Sequence, residues 1–311
     1  MRTNRLGSSA VRVTAMGLGT AQLGDLYEAM GQERATAIVD AAWDAGIRYF
    51  DTAPHYGVGL AETRLGNALR DRARDDYVVG SKVGRLLVPG DDGTLVRRWD
   101  FTAPGIRRSI EESLTRLGLD RLDIALLHDP QERLDDALHV GLPALARLRD
   151  EGLVGAIGVG TGHMGALTAF AGLSELDALM IAGRYTLLEQ PVLAEVIPAA
   201  RAAGISVLNA GVFNSGLLAE DRPAAEARYE YTPAPPDLLG RATALAEAAT
   251  AAGTTLPRAA LAYAARDPLV ASVLVGADSA EQIIANVRMA DDPRPLDALW
   301  RDLTALGLLP D

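Results

Sequence analysis

Residues 47–57 read Ile47-Arg48-Tyr49-Phe50-Asp51-Thr52-Ala53-Pro54-His55-Tyr56-Gly57. A short run of strand-forming residues stops at a carboxylate, and a phenol follows five positions later. The plan returns in Tyr77-Val78-Val79-Gly80-Ser81-Lys82 and in Leu122-Asp123-Ile124-Ala125-Leu126-Leu127-His128, which stop at an ammonium and an imidazole. Polar groups standing where successive apolar strands end are what a parallel α/β barrel gathers at its open mouth.

Around these three segments the chain alternates between strand-like and helix-like patterns. Strands are expected at Ala15–Leu18, Arg48–Phe50, Tyr77–Ser81, Asp123–Leu127, Gly155–Val159, Ala178–Ala182, Ile205–Leu208 and Val270–Val275. Between them Arg34–Ala45 and Thr102–Leu117 carry apolar residues at helical spacing, such as Ile106, Ile110 and Leu114. Repeated β-then-α units favour an α/β fold of the (β/α)8 TIM barrel type over an open doubly wound sheet. The open-sheet dinucleotide fold is further disfavoured because no Gly-x-Gly-x-x-Gly follows the first strand. An N-terminal β-hairpin (Arg5-Leu6 against Val11–Val13), an extra C-terminal helix and a single domain over residues 1–311 complete the expectation.

Bulk properties narrow the function. A chain of 311 residues with 49% hydrophobic content fills a barrel, and the absence of cysteine removes disulfides and thiolate chemistry. The formal charge of −11 argues against nucleic acid or an anionic membrane as a partner. No apolar run approaches the ~20 residues of a membrane span, and the opening Met1-Arg2-Thr3-Asn4-Arg5-Leu6-Gly7 lacks the apolar core of a secretion signal. A cytoplasmic protein acting on small molecules is expected; nothing in the sequence fixes an oligomeric state.

A free phenol has a pKa near ~10 and is a poor proton acceptor at neutral pH. A neighbouring ammonium favours its phenolate, and a carboxylate holds that ammonium in place and charged. Asp51, Lys82 and Tyr56 thus permit proton exchange with an alcohol or carbonyl oxygen, which His128 can orient by hydrogen bonding. Each residue alone has a structural reading, as a cap, a solvated strand-end lysine or a turn histidine; their joint appearance on three consecutive strand ends favours chemistry. No metal constellation is evident, with only four histidines and no His-x-His on an early strand.

The pattern Tyr49-Phe50-Asp51-Thr52-Ala53-x-x-Tyr56-Gly57, with Glu62 and Gly66, then Ser81-Lys82-Val83-Gly84 and the strand ending in His128, resembles the aldo-keto reductase superfamily. The likeness runs from Gly17 to Asn286. It is narrower to the branch of sugar dehydrogenases (L-fucose, D-threo-aldose, L-galactose) and pyridoxal 4-dehydrogenase, through Arg107–Gly118, His128-Asp129-Pro130, Ala182–Leu188 and Phe213–Leu218. The resemblance implies a catalytic tetrad: Tyr56 as proton donor or acceptor, Lys82 lowering its pKa, Asp51 supporting Lys82, and His128 orienting substrate. It implies a nicotinamide cofactor lying extended across the mouth, with Thr20, Asp51, Thr161, Arg184, Phe213, Asn214, Ser215, Gly216, Gly276, Ala277, Asp278, Gln282 and Asn286 as contacts.

The sequence departs from the family pattern in three places. Gly160-Thr161 stands where many members have Ser-Asn. Ala182 replaces a glutamine, with Arg184 as a possible substitute. Ala210 replaces the aromatic that stacks on nicotinamide, leaving Phe213 either to stack or to serve as an apolar lid. Ser279 and Gln282 have capping-box spacing at a helix start, which suits a phosphate. Gly276 and Gln282 replace the cations that bind the 2′-phosphate of NADP, and Asp278 adds a negative charge, so NAD is expected over NADP.

Two long stretches, Arg85–Phe101 and Asn214–Pro236, follow strand ends and read as loops over the mouth. Trp99 either stacks on a sugar ring or anchors its loop, and His55 is a candidate substrate contact. The expected reaction is oxidation of an aldose at C1 to the lactone. Pyridoxal oxidation, general aldehyde or ketone reduction, and a nicotinamide-binding regulatory subunit are the alternatives.

Overall fold

The computed structural model describes residues 1–26, 28–230 and 232–310. Strands β1 (Thr3–Arg5) and β2 (Arg12–Thr14) form the N-terminal hairpin, each stopping one residue short of the expected span on the turn side. The first barrel strands are β3 (Met16–Gly19), β4 (Tyr49–Asp51) and β5 (Val78–Val83). An inserted hairpin follows, β6 (Arg85–Pro89) with β7 (Leu95–Trp99). Barrel strands resume with β8 (Leu122–His128), β9 (Val154–Thr161), β10 (Ala178–Ala182) and β11 (Ser206–Ala210). The short strands β12 (Arg228–Tyr229) and β13 (Thr232–Pro233) pair in the second long segment, and β14 (Val270–Val275) closes the ring.

All eight barrel strands are parallel and close in the order β10-β11-β14-β3-β4-β5-β8-β9. After the last barrel helix, Ala280–Ala290, the additional C-terminal helix spans Asp297–Ala305.

The stretch from Arg85, expected to be an irregular loop, is an antiparallel ladder running from Arg85↔Trp99 to Pro89↔Leu95. The reason is local. Val88 pairs with Val96 and Pro89 with Leu95 on either side of Gly90-Asp91-Asp92-Gly93, and Gly93 supplies the positive φ (81°) of a tight turn.

Strand pleating decides which groups reach the mouth. Along β8 the side chains of Ile124 and Leu126 pack in the barrel interior, while Ala125 and Leu127 face the helices. The period of two then sends His128 inward. On β4 Tyr49 lies in the interior cluster and Phe50 in the outer one, so Asp51 turns inward as well. On β5 Val79 and Val83 face the helices, which leaves Gly80 and Lys82 on the inner face. Register aligns these positions, with Asp51 opposite Gly80 and Lys82 opposite Leu126. Gly80 has no side chain because the Tyr49 ring fills that space, its hydroxyl only 3.2 Å from where a Cβ would stand.

The N-terminal hairpin plugs the other end. Leu6 and Val13 are fully buried in the interior cluster, and Asn4 Nδ2 donates to the Ala271 carbonyl at 2.7 Å. Beyond the paired strands the Leu6 amide still donates to the Val11 carbonyl at 3.0 Å, closing the turn while its side chain enters the barrel.

Behind the mouth, buried Glu62 on the helix Leu60–Leu69 accepts from Ser81 Oγ and from Arg116 Nε, both at 2.6 Å. It clamps the outer face of β5 to two helices. Gly66 on the same helix allows the close crossing, since a Cβ there would stand 2.2 Å from the Leu117 carbonyl oxygen. Among the described residues no helix is long and apolar enough to cross a membrane.

Candidate active site

Lys82 Nζ lies 2.6 Å from Asp51 Oδ2 and donates also to the Thr52 carbonyl at 2.9 Å. Both side chains are almost completely buried. The Tyr56 ring stands against the ammonium, with Nζ 4.8 Å from its centroid, and the His128 ring meets Tyr56 nearly edge-on at 6.2 Å. The structure therefore brings together all four groups singled out in the sequence. Tyr56 is held by its turn: Gly57 (φ 59°) and Gly24 pack backbone to backbone, and a Cβ on Gly24 would meet the Tyr56 carbonyl carbon at 2.5 Å.

Burial alone would push the Lys82 ammonium down, but the Asp51 carboxylate and the Tyr56 phenol raise it above the ordinary lysine value. Lys82 is therefore a cation at neutral pH. Burial lifts the Asp51 carboxyl while Lys82 holds it down, and the 2.6 Å contact has the length of an ion pair. The expectation of an acidic phenol needs correction. Burial raises Tyr56 above its usual value by more than Lys82 lowers it, and the Asp51 charge adds to the rise. A phenolate deprived of water is costly even beside a cation, so the resting group is a neutral O–H donor. Burial, then the charges of Lys82 and Arg85, hold the His128 imidazole well below its ordinary value. It is a neutral hydrogen-bonding group.

The Aldo/keto reductase family profile matches residues 15–298. The chain is 43% identical to D-threo-aldose 1-dehydrogenase of a Pseudomonas species, with 97% of each chain covered. It is 34% identical to pyridoxal 4-dehydrogenase of Microbacterium luteolum, covering 98% of this chain and 97% of that one. L-galactose dehydrogenase of Arabidopsis thaliana is 32% identical, with 97% and 91% covered. Among solved structures, an aldo-keto reductase from Bacillus halodurans in its holo form superposes with a TM-score of 0.81 at 26% identity, covering 98% of this chain and 96% of the other. The chain is an aldo-keto reductase. It is an oxidoreductase of a family that uses nicotinamide cofactors.

In this aldo-keto reductase the residues expected to hold the cofactor, Asp51 on β4 apart, stand at or beyond the ends of β9, β10, β11, β14 and β3, which are consecutive around the ring and flank the strands of the four groups. That contiguity fits an extended ligand. So does Asn214 Oδ1, a buried acceptor without a partner among the described residues, on a turn where Asn214, Ser215 and Gly216 all have positive φ (47°, 59° and 96°). Phe213 is partly buried against the outer core, as a lid would be.

Other contacts are already engaged within the chain. Thr20 is fully buried with its hydroxyl donating to the Asp51 carbonyl, so it buttresses β4. Thr161 Oγ1 lies 3.3 Å from Gln131 Oε1 and accepts from the His163 amide at 3.0 Å. Arg184 donates to the Gly162 carbonyl, Glu189, Tyr229 and Glu230, and is not free to replace the missing glutamine. At the helix start Ser279 Oγ accepts from Gln282 N at 3.3 Å, but Gln282 Oε1 reaches Asp278 N at 2.8 Å, one residue earlier than a capping box. The Gln22 amide covers Gly276; Ala277 and Asn286 are buried.

Trp99 does not present itself to a substrate. The Arg85 guanidinium sits 4.1 Å from its ring centroid and Phe101 stacks on it at 5.5 Å, so it anchors the hairpin. His55 does face the site, its ring 5.6 Å from that of His128. Burial, then Arg97 and Arg85, hold His55 down to about 4.

Sequence reading missed several participants. Glu189 accepts from Arg184, Asn214 and Tyr229, tying three segments together. Arg34 Nε donates to the Asp278 carbonyl at 2.7 Å. Asp129 (φ 42°) follows His128 in a left-handed conformation, and Arg85 leans on it. Only the last pair carried a sequence signal, an Asp-Pro turn and a post-strand arginine.

Proposed function

We propose that this aldo-keto reductase oxidises an aldose at its anomeric carbon to the lactone, with Tyr56 as proton acceptor. The observation that carries the reading is the buried Lys82–Asp51 pair against the Tyr56 ring, with a neutral His128 edge beside it. Likeness to D-threo-aldose and L-galactose dehydrogenases over nearly the whole chain supports the substrate class.

The residues divide the work. His128 donates to or accepts from the anomeric oxygen and fixes its direction. In the oxidation Tyr56 acts from its phenolate form, which Lys82 stabilises: it takes the hydroxyl proton as the C1–O bond gains double-bond character and becomes the neutral phenol, and in reverse the neutral phenol returns that proton to the carbonyl oxygen. Asp51 keeps Lys82 charged and stationary. The nicotinamide ring, when bound, supplies the hydride acceptor in this direction and the donor in reverse. Asn214–Gly216 and the start of the helix Ala280–Ala290 would hold the cofactor.

NAD is the proposed cofactor. Asp278 places a carboxylate at the helix start where a 2′-phosphate would lie, and neither Gly276 nor Gln282 brings a cation. Arg34 does bring one, but it is bound to the Asp278 carbonyl and lies 3.5 Å from Glu28. The test is a panel of L-fucose, L-galactose, D-arabinose, pyridoxal and simple aldehydes followed at 340 nm with each cofactor. An aldose turned over at about 1 s⁻¹ or faster with NAD is expected. Pyridoxal as the preferred substrate, no aldose turnover, or a clear preference for NADP would overturn the corresponding part.

A further inference from the structure

The four groups account for proton transfer at one oxygen but leave the rest of a sugar unread. Beside them stand two charges that the chemistry does not use. Asp129 Oδ2 lies 3.6 Å from His128 Nε2, on the edge of the imidazole assigned to the anomeric oxygen. Arg85 Nη2 lies 3.5 Å from the same carboxylate oxygen, and its Nη1 lies 3.5 Å from His55 Nδ1.

Neither contact is closed. A charge-assisted hydrogen bond settles near ~2.8 Å, and partly buried arginines elsewhere in this chain reach it: Arg116 to Glu62 at 2.6 Å and Arg74 to Asp123 at 2.8 Å. Arg85 Nε, moreover, is buried with no partner among the described residues. A structural ion pair would have relaxed to contact. These two groups are instead held apart by their supports. Arg85 is fixed by stacking on Trp99, and Asp129 by a backbone conformation that L-residues avoid, pinned by its amide bond to the Gly160 carbonyl at 2.9 Å.

We infer that Arg85 and Asp129 form a clamp for neighbouring hydroxyls of the sugar next to its reacting carbon, selecting polyhydroxylated substrates over simple aldehydes. The inference rests on the aldose reading above and names the groups that would enforce it. A carboxylate accepts from one hydroxyl while a guanidinium donates to the next, which is the donor–acceptor alternation a diol presents. Burial raises the Asp129 carboxyl and Arg85 counteracts part of that rise, so the guanidinium also favours the ionised form of the acceptor. An apolar aldehyde gains nothing from either group.

The experiment compares wild type with Asp129→Asn, Arg85→Met and Arg85→Lys. Each is assayed for oxidation of the best aldose, for its 2-deoxy and 3-deoxy analogues, and for reduction of butanal. NADH binding by fluorescence quenching reports that the site is intact. For Asp129→Asn and Arg85→Met, aldose kcat/KM should fall about 10-fold or more through KM, with butanal kcat/KM changed less than about 3-fold. Arg85→Lys, which keeps charge but loses the planar fork, should fall between. Removing the clamped hydroxyl from the sugar should cost the wild type far more than the variants. A wild type without aldose activity overturns the aldose reading and the clamp with it. A wild type active on aldoses, whose variants bind NADH normally but lose both substrates equally or neither, overturns the clamp alone.

Discussion

Asp51, Lys82 and His128 stand on β4, β5 and β8 themselves, whereas Asn214–Gly216 and Gly276–Ser279 lie in turns beyond β11 and β14. Both sets line one barrel mouth, yet they are fixed by different physics. On the strand side the pleat and the ladder register dictate direction, and each charge meets its partner within 3 Å through bonds such as Lys82 to Asp51 at 2.6 Å. On the turn side direction depends on left-handed residues and on side chains reaching from afar, such as Arg34 across 244 residues to Asp278. Strand-borne groups are rigid and suited to proton transfer. Turn-borne groups can adjust around a long ligand.

That contrast can be broken most sharply at Tyr56. Tyr56→Phe should lower kcat by about 10³-fold while the NADH dissociation constant, read by fluorescence quenching, moves little. Equal loss of both would merge the two sides into one unit. Lys82→Met strands the Asp51 carboxylate in the interior and should cost about 3–5 kcal/mol of unfolding free energy in urea. Asn214→Ala on the turn side, by contrast, should cost about 1 kcal/mol and act mainly on cofactor affinity.

Titration sharpens the comparison further. Because Tyr56 is raised above the ordinary tyrosine value, the oxidation rate should climb with pH through the alkaline range; a plateau near neutrality would contradict the neutral resting phenol. His55 titrates at about 4 when folded and near ~6.5 when unfolded, so the unfolded chain binds the extra proton between those values. Stability should therefore be full above ~6.5 and decline as pH falls towards ~4, by about 1–2 kcal/mol after allowance for solvent screening. His55→Gln should flatten that slope in thermal melts. The smallest effect is expected at the far end of the turn side. Arg34→Ala should reduce NADP use relative to NAD by a few-fold, and Asp278→Ala should shift it the other way, as ratios of kcat/KM.

The same division explains what could be read in advance. The eight strands and the four polar groups were legible because burial on both faces leaves a continuous apolar run, and a polar residue ending such a run has one direction to point. The hairpin at Arg85–Trp99 was missed although its apolar run Leu86–Val88 and its Gly90–Gly93 turn were present, because length alone was weighed. The acidity of Tyr56 was misjudged because a sequence names the neighbouring cation but not the loss of water. Trp99 and Arg184 drew attention by type, yet their partners Arg85, Phe101, Glu189 and Tyr229 come from other segments, and such pairings are not written in local spacing.

The N-terminal hairpin closes the floor of the barrel with Leu6 and Val13. Among the described residues the end of the barrel away from Tyr56 is thus filled. On the aldose reading proposed above, a proton collected by Tyr56 would leave on the side from which the substrate arrives, where a seated product stands in the way. Re-equilibration of the phenol with bulk water would then wait on product leaving, which would couple chemistry to release.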